Sequence, residues 1–234
     1  MLVAHRARCA DDPENAIESL SGLAPWVDGV EIDTRRTADG VCVLMHDATV
    51  DRTTDGTGLL ADLTYHQVVE LRQGSAAVPT LAGYLEAVAV GDIVLVLVDL
   101  KVDDAGLRTT VADTVAASSV GDQCVLMVRT PAEAQHLREH ADAARLGFLG
   151  VTAENVEVRI SQARRLGVEL LLVRYGDDSY LSNRLVIADA HDHGLRAGAS
   201  TINSEAALRA AREDDCDVVL SDRTAELHPA WWTA

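Results

Sequence analysis

The sequence predicts an α/β chain closed into a (β/α)8, or TIM, barrel, and three observations carry that expectation. Short β-branched and Leu-rich runs alternate with Ala-, Glu- and Arg-rich stretches of helical period, as in a parallel sheet built from right-handed β-α-β units. The chain has 234 residues, a familiar length for this barrel. It carries no Gly-rich strand-to-helix phosphate loop, which weighs against the alternative, an open doubly wound sheet.

Strands are expected at residues 2–6, 29–35, 41–46, 93–101, 124–128, 145–149, 169–173, 195–199 and 218–221. Helices are expected at 13–23, 81–89, 105–117, 131–139, 153–166, 182–193 and 204–213. The strands exceed a closed barrel by one, and the excess has a local cause. Thr37-Ala38-Asp39-Gly40 is an Asp-Gly turn too short for a parallel crossover, so 41–46 folds back antiparallel as a hairpin. Pairing Arg36 with Val41 then brings His46 beside Glu31. Residues 47–80 break the alternation and read as a small insertion over one end of the barrel, with a short helical stretch at 63–71. Residues 1–234 are otherwise expected as one domain, without a linker, low-complexity tract or close repeat.

Composition narrows the function classes. With 48% hydrophobic and 24% charged residues the chain buries a full core, and with 3% aromatics it builds that core from Val, Leu, Ile and Ala. A net charge of −17 opposes binding to nucleic acid or an anionic membrane. An anionic substrate must therefore be attracted locally. No stretch has signal-peptide character or the ~20 apolar residues of a membrane span, so no stable membrane insertion is expected. Cys9, Cys42, Cys124 and Cys216 show neither zinc nor disulfide spacing, and the expected compartment is a reducing cytoplasm.

The chemistry gathers at strand ends. In Glu31-Ile32-Asp33 the two acids share one face of a strand, a pair suited to a hard divalent cation. Asp99 and Lys101 end an apolar run with the same spacing, at the C-terminal and hence reactive end of a barrel strand. Glu31, Asp33 and Asp99 together suit Mg2+ or Ca2+. His5 and His46 flank this set and can move protons on opposite sides of a reacting group, while Arg6 beside His5 offers a planar fork to a phosphate oxyanion. His136, His140, His191, His193 and His228 read as surface residues, and Cys9 as a neighbour of the site without a nucleophile's setting. Trp231-Trp232 is expected to cover the barrel bottom or, second, to make a dimer contact.

The combination resembles the glycerophosphodiester phosphodiesterase family of phospholipase-C-like barrels. The matching stretches are His5-Arg6, Pro13-Glu14-Asn15, Glu31-Ile32-Asp33, Thr37-Ala38-Asp39-Gly40, His46-Asp47, the run from Asp51 to Gly58, Val78-Pro79-Thr80-Leu81, Asp99-Leu100-Lys101 and the run from Cys216 to Arg223. The resemblance implies His5 and His46 as general acid and base and Glu31, Asp33 and Asp99 as metal ligands. It implies Arg6 and Lys101 as phosphate-binding groups, and hydrolysis of a small-molecule glycerophosphodiester to glycerol 3-phosphate and an alcohol. A lysophospholipase-D-like or other alkyl phosphodiesterase is the alternative reading, and a catalytically silent phosphate-ester-binding barrel the third. The chain departs from the family at Ala7, where Gly is usual, and at Asp99, where Glu is more frequent. Val128-Arg129 and Ser200-Thr201 replace Ser-Phe and Trp-Thr. Arg129 reads either as a contact for an anionic substrate group or as an exposed strand-end arginine.

Overall fold

The structure, a computed structural model, describes residues 1–8, 12–23, 25–101, 104–174 and 180–227; Cys9, His228, Trp231 and Trp232 lie outside them. In chain order the strands are β1 (Leu2–Ala4), β2 (Gly29–Arg36), β3 (Cys42–Leu44), β4 (Arg72–Gln73), β5 (Ala76–Ala77), β6 (Leu95–Leu100), β7 (Cys124–Val128), β8 (Leu146–Val151), β9 (Leu170–Arg174), β10 (Arg196–Ser200) and β11 (Val218–Ser221). The helices are α1 (Tyr65–Val68), α2 (Leu81–Val88), α3 (Ala105–Ala117), α4 (Pro131–His140), α5 (Val156–Leu166), α6 (Tyr180–Asp192) and α7 (Glu205–Glu213). Strands β1, β2 and β6 to β11 run parallel in that order, and β11 pairs back onto β1, so the eight-stranded barrel is closed.

Strand parity divides the core in two. Val30, Ile32, Val96, Val98, Leu126 and Val128 face outward and join the helices in the main apolar layer. Val3, Leu95, Leu97, Val125, Met127, Leu170, Leu172, Val218 and Leu220 fill the barrel interior. Along β6 the inward series is Leu95, Leu97, Asp99, so the interior turns from aliphatic to charged as it approaches the C-terminal mouth. Above that mouth the loops run into helices capped by Thr80, Asp104, Thr130 and Ser204.

Three expectations are corrected. Residues 13–23 form no α-helix and contain only a short 3-10 segment at Glu18–Gly22. The cause is Asn15, which is left-handed (φ 58°), donates its backbone N–H to the Arg6 carbonyl and commits its amide to Asp33. The insertion's expected helix shrinks to the single turn α1, preceded by a 3-10 turn at Leu60–Asp62 and followed by the β4–β5 ribbon. Val43, Met45, Val50, Leu60, Val68 and Val78 pack beneath it as a separate small core.

The hairpin forms, but one residue out of the expected register. Arg36 faces Cys42, and the loop closes as three residues, Ala38-Asp39-Gly40, under a Thr37 N–H to Val41 carbonyl bond of 3.0 Å. Gly40 takes the left-handed position (φ 88°) that such a turn needs. A strand continued in this register would turn His46 toward the helices with Ile32. The strand instead ends at Leu44, with one further bond from the Met45 N–H to the Asp33 carbonyl at 2.9 Å, so the ladder closes before His46.

Candidate active site

At the mouth, Glu31, Asp33 and Asp99 converge: one oxygen of each lies within 4.8 Å of the others, and all three residues are buried. Asp33 and Asp99 are directly paired in the β2–β6 ladder, and Glu31 sits one inward position deeper. The Lys101 ammonium bridges the upper pair at 2.7 Å from Asp33 and 2.6 Å from Asp99. Burial raises the Asp33 carboxyl, but the charge and hydrogen bond of Lys101 and the Asn15 amide outweigh it and hold the group below the usual carboxylate range. Glu31 behaves oppositely. It is pushed well above that range by burial and by the neighbouring Asp33 and Asp99. Relief comes from the more distant charge of Lys101 and from the Arg6 backbone N–H, which donates to it at 2.9 Å.

That N–H is aimed by an unusual turn. Arg6 and Ala7 are both left-handed (φ 53° and 51°), which explains why a small residue follows the His-Arg pair. The same turn ends β1 at Ala4 and sets His5 over the barrel. His5 Nδ1 lies 2.8 Å from Asp222, leaving Nε2 on the Glu31 side at 3.8 Å. Bonds from His5 and Asn203 draw the Asp222 carboxyl down to about 2. His46 has the same construction. Its Nδ1 lies 2.6 Å from Asp47, which the Arg52 guanidinium holds far below its ordinary value. In both pairs an ionised carboxylate accepts from Nδ1–H and leaves Nε2 to exchange a proton.

The expected residues are thus brought together, though by more parts than the sequence reading assigned. Glu14 accepts from Arg6 and from both terminal nitrogens of Arg52, and Arg52 continues to Asp47 and His46. One polar chain therefore joins the neighbourhoods of the two histidines. Glu14, Asn15, Asp47, Arg52, Asn203 and Asp222 had no assigned role in the sequence, because charge and spacing do not show which strand ends meet. Arg129 resolves its two readings in an unforeseen way. Its Nη2 donates to Asp99 Oδ2 at 2.8 Å, while its Nη1 pairs ionically with Asp99 Oδ1 at 2.8 Å and donates to the Leu100 carbonyl at 2.7 Å. His136 and His140 lie on α4, His191 on α6 and His193 in the turn just after it, and all four are half-buried or exposed, as expected.

Glu31 and Asp99 of the acid cluster line a cavity of about 150 Å3 together with His5, Lys101, Arg129 and Ser200. Clefts of about 610 and 650 Å3 open near Arg145, at the opposite ends of the strands and away from these acids. The donor set fits a hard cation: three carboxylates are buried together, and the ion-pair partner that Glu31 has among the described residues, His5 Nε2, stands 3.8 Å away, beyond hydrogen-bond distance.

Fold and site together define a (β/α)8 barrel with a cation-competent acidic cluster and two histidine–carboxylate pairs at its C-terminal mouth. The glycerophosphoryl diester phosphodiesterase family profile matches residues 5–226, and the chain belongs to that family. Over 70 residues it is 53% identical to glycerophosphodiester phosphodiesterase 1 of Bos taurus, a match covering 30% of this chain and 21% of the relative. Over 110 residues it is 34% identical to the glycerophosphodiester phosphodiesterase of Caldanaerobacter subterraneus, covering 43% of this chain and 45% of that one. These matches span less than half the length of the relatives. In structure it resembles an Oleispira antarctica phosphodiesterase solved with the product sn-glycerol-3-phosphate (TM-score 0.87, 21% identity, 98% and 96% of the two chains). It also resembles the glycerophosphodiester phosphodiesterase of Agrobacterium tumefaciens (TM-score 0.81, 24% identity, 97% and 98%).

Proposed function

We propose that this protein is a cytoplasmic, divalent-metal-dependent phosphodiesterase that hydrolyses a glycerophosphodiester to glycerol 3-phosphate and an alcohol. The observation that carries the reading is the pair of histidine–carboxylate dyads, His5–Asp222 and His46–Asp47, flanking one acidic, cation-competent floor. Family membership and the product complex of the Oleispira relative support it. Glu31, Asp33 and Asp99 would hold Mg2+ or Ca2+, which supplies Lewis-acid stabilisation of charge on phosphate oxygens.

The chain's own groups do the rest. One imidazole takes a proton through Nε2 from the attacking hydroxyl or water, the other delivers a proton to the departing alkoxide, and the net reaction consumes one water. Each carboxylate fixes its ring and favours the imidazolium form that appears mid-reaction. Arg6 and Lys101 hold the phosphate oxygens, and Asn15 keeps Asp33 ionised beneath them. Buried thiols at Cys42, Cys124 and Cys216 support a reducing compartment. Among the described residues no helix is long and apolar enough to cross a membrane.

The test is hydrolysis of glycerophosphocholine and lysophosphatidylcholine with Mg2+, Ca2+ or EDTA. Wild type is expected to release glycerol 3-phosphate in a metal-dependent way, with His46→Ala slower by about 10^2-fold or more. Undiminished turnover in EDTA, or full activity of His46→Ala, would overturn the mechanism.

A further inference from the structure

Above the acids lies a row of cations. Asp33, Asp99 and Met127 are in register across β2, β6 and β7, and two residues further along each strand come Arg35, Lys101 and Arg129. Lys101, assigned above to the scissile phosphate, pairs with Asp33 and Asp99, and Arg129 pairs with Asp99 and donates to the Leu100 carbonyl. Arg35 differs. Its Nε donates to the His46 carbonyl at 2.9 Å, and among the described residues it has no carboxylate within ion-pair distance. It lines a cavity of about 400 Å3 between the hairpin and the insertion, walled by Ala38, Ala48, Leu60 and Ala61. Arg36 and Asp104, also in this wall, neutralise each other at 2.7 Å. The cavity therefore offers one unspent guanidinium beside the reaction centre, in a chain of net charge −17.

We infer that the cavity lined by Arg35 is a subsite for a second anionic group on the substrate alcohol, so that the preferred diesters carry a phosphate or carboxylate beyond the scissile phosphate. This rests on the reading of the chain as a glycerophosphodiesterase and names its substrate class. A cationic head group is unsuited to this wall: it would meet Arg35, and no aromatic face lines either cavity among the described residues. A neutral head group leaves the Arg35 fork unpaired. An anion accepts from its terminal nitrogens in a charge-assisted pair.

Two matched substrate pairs test the inference. Glycerophosphoinositol 4-phosphate against glycerophosphoinositol isolates a phosphate, and glycerophosphoserine against glycerophosphoethanolamine isolates a carboxylate. Wild type is expected to favour the charged member of at least one pair by about tenfold in kcat/KM. Arg35→Gln should bring that ratio near one. Ala61→Glu, an exposed wall substitution that leaves the Arg35–His46 bond in place, should do the same. The ratio is the readout because any displacement of His46 lowers both members alike. Flat ratios in wild type, or ratios that neither variant changes, overturn the inference. Calorimetric binding of the same four compounds separates the failures. Selective binding without turnover removes the hydrolase reading and keeps the subsite; brisk turnover with flat ratios does the reverse.

Discussion

At the scale of single residues, the site is defined by how each carboxylate is balanced. Asp99 is the most constrained, since Arg129 and Lys101 both grip it, and an arginine on a candidate ligand opposes a metal at the same oxygens. Arg129→Ser should therefore raise Mg2+ or Ca2+ affinity by on the order of tenfold, measured by titration calorimetry; unchanged or weakened binding would show that the arginine does not compete. Asp222 makes a different prediction, through pH. Its carboxyl is lowered to about 2 from an ordinary value near 4, so its stabilising contribution is present above pH ~4 and disappears as pH falls toward 2. Asp222→Asn should accordingly be less stable than wild type by about 2 kcal/mol at pH 7. In urea melts that deficit should close between about pH 4 and 2. A constant deficit would mean that the carboxylate contributes through packing.

At the scale of elements, two glycines do separate jobs. A Cβ at Gly29 would stand 2.6 Å from the Leu95 carbonyl oxygen, so Gly29→Ala must push β2 from β6 and disturb the Asp33–Asp99 pair above. A Cβ at Gly40 meets nothing, and Gly40→Ala should cost only the left-handed penalty of about 1–2 kcal/mol. The expected order in thermal melts is wild type, then Gly40→Ala, then Gly29→Ala. The strands and most of the helices were legible because apolar runs and helical periods report burial directly. The Glu31, Asp33 and Asp99 set was legible because alternation on a strand fixes the face and the barrel fixes the reactive end. The register of β3 was not, since Asp-Gly is compatible with loops of several lengths and only the Thr37–Val41 closure selects three residues. The helix expected at 13–23 failed for a tertiary reason: Asn15 serves Asp33, a partner on another strand that periodicity cannot see.

For the whole molecule, the acidic floor trades stability for charge. Glu31 is buried beside two other carboxylates, so neutralising it should help the metal-free fold while removing the cation's purchase. Glu31→Gln is expected to melt about 2–4 °C above wild type in EDTA, for a gain of about 1 kcal/mol. Wild type should gain about 2.7 kcal/mol from Mg2+ or Ca2+ at a hundred times the dissociation constant, and the variant should gain little. Scanning calorimetry with and without cation reads both effects, and a variant stabilised by the cation as strongly as wild type would place the ion elsewhere.

The hairpin strand has a consequence for how such a barrel diversifies. β3 is fastened on one side to β2 and on the other to the chain returning from the insertion, where Val43 bridges Thr80 and the Leu44 N–H meets the Pro79 carbonyl at 3.0 Å. The excursion thus leaves and re-enters the barrel through one pinned doorway. Beyond Arg52, lengthening or shortening it alters the wall a substrate meets while the doorway, and His46 beside it, stay in place. Selection can rewrite that wall as a graft on a fixed stem.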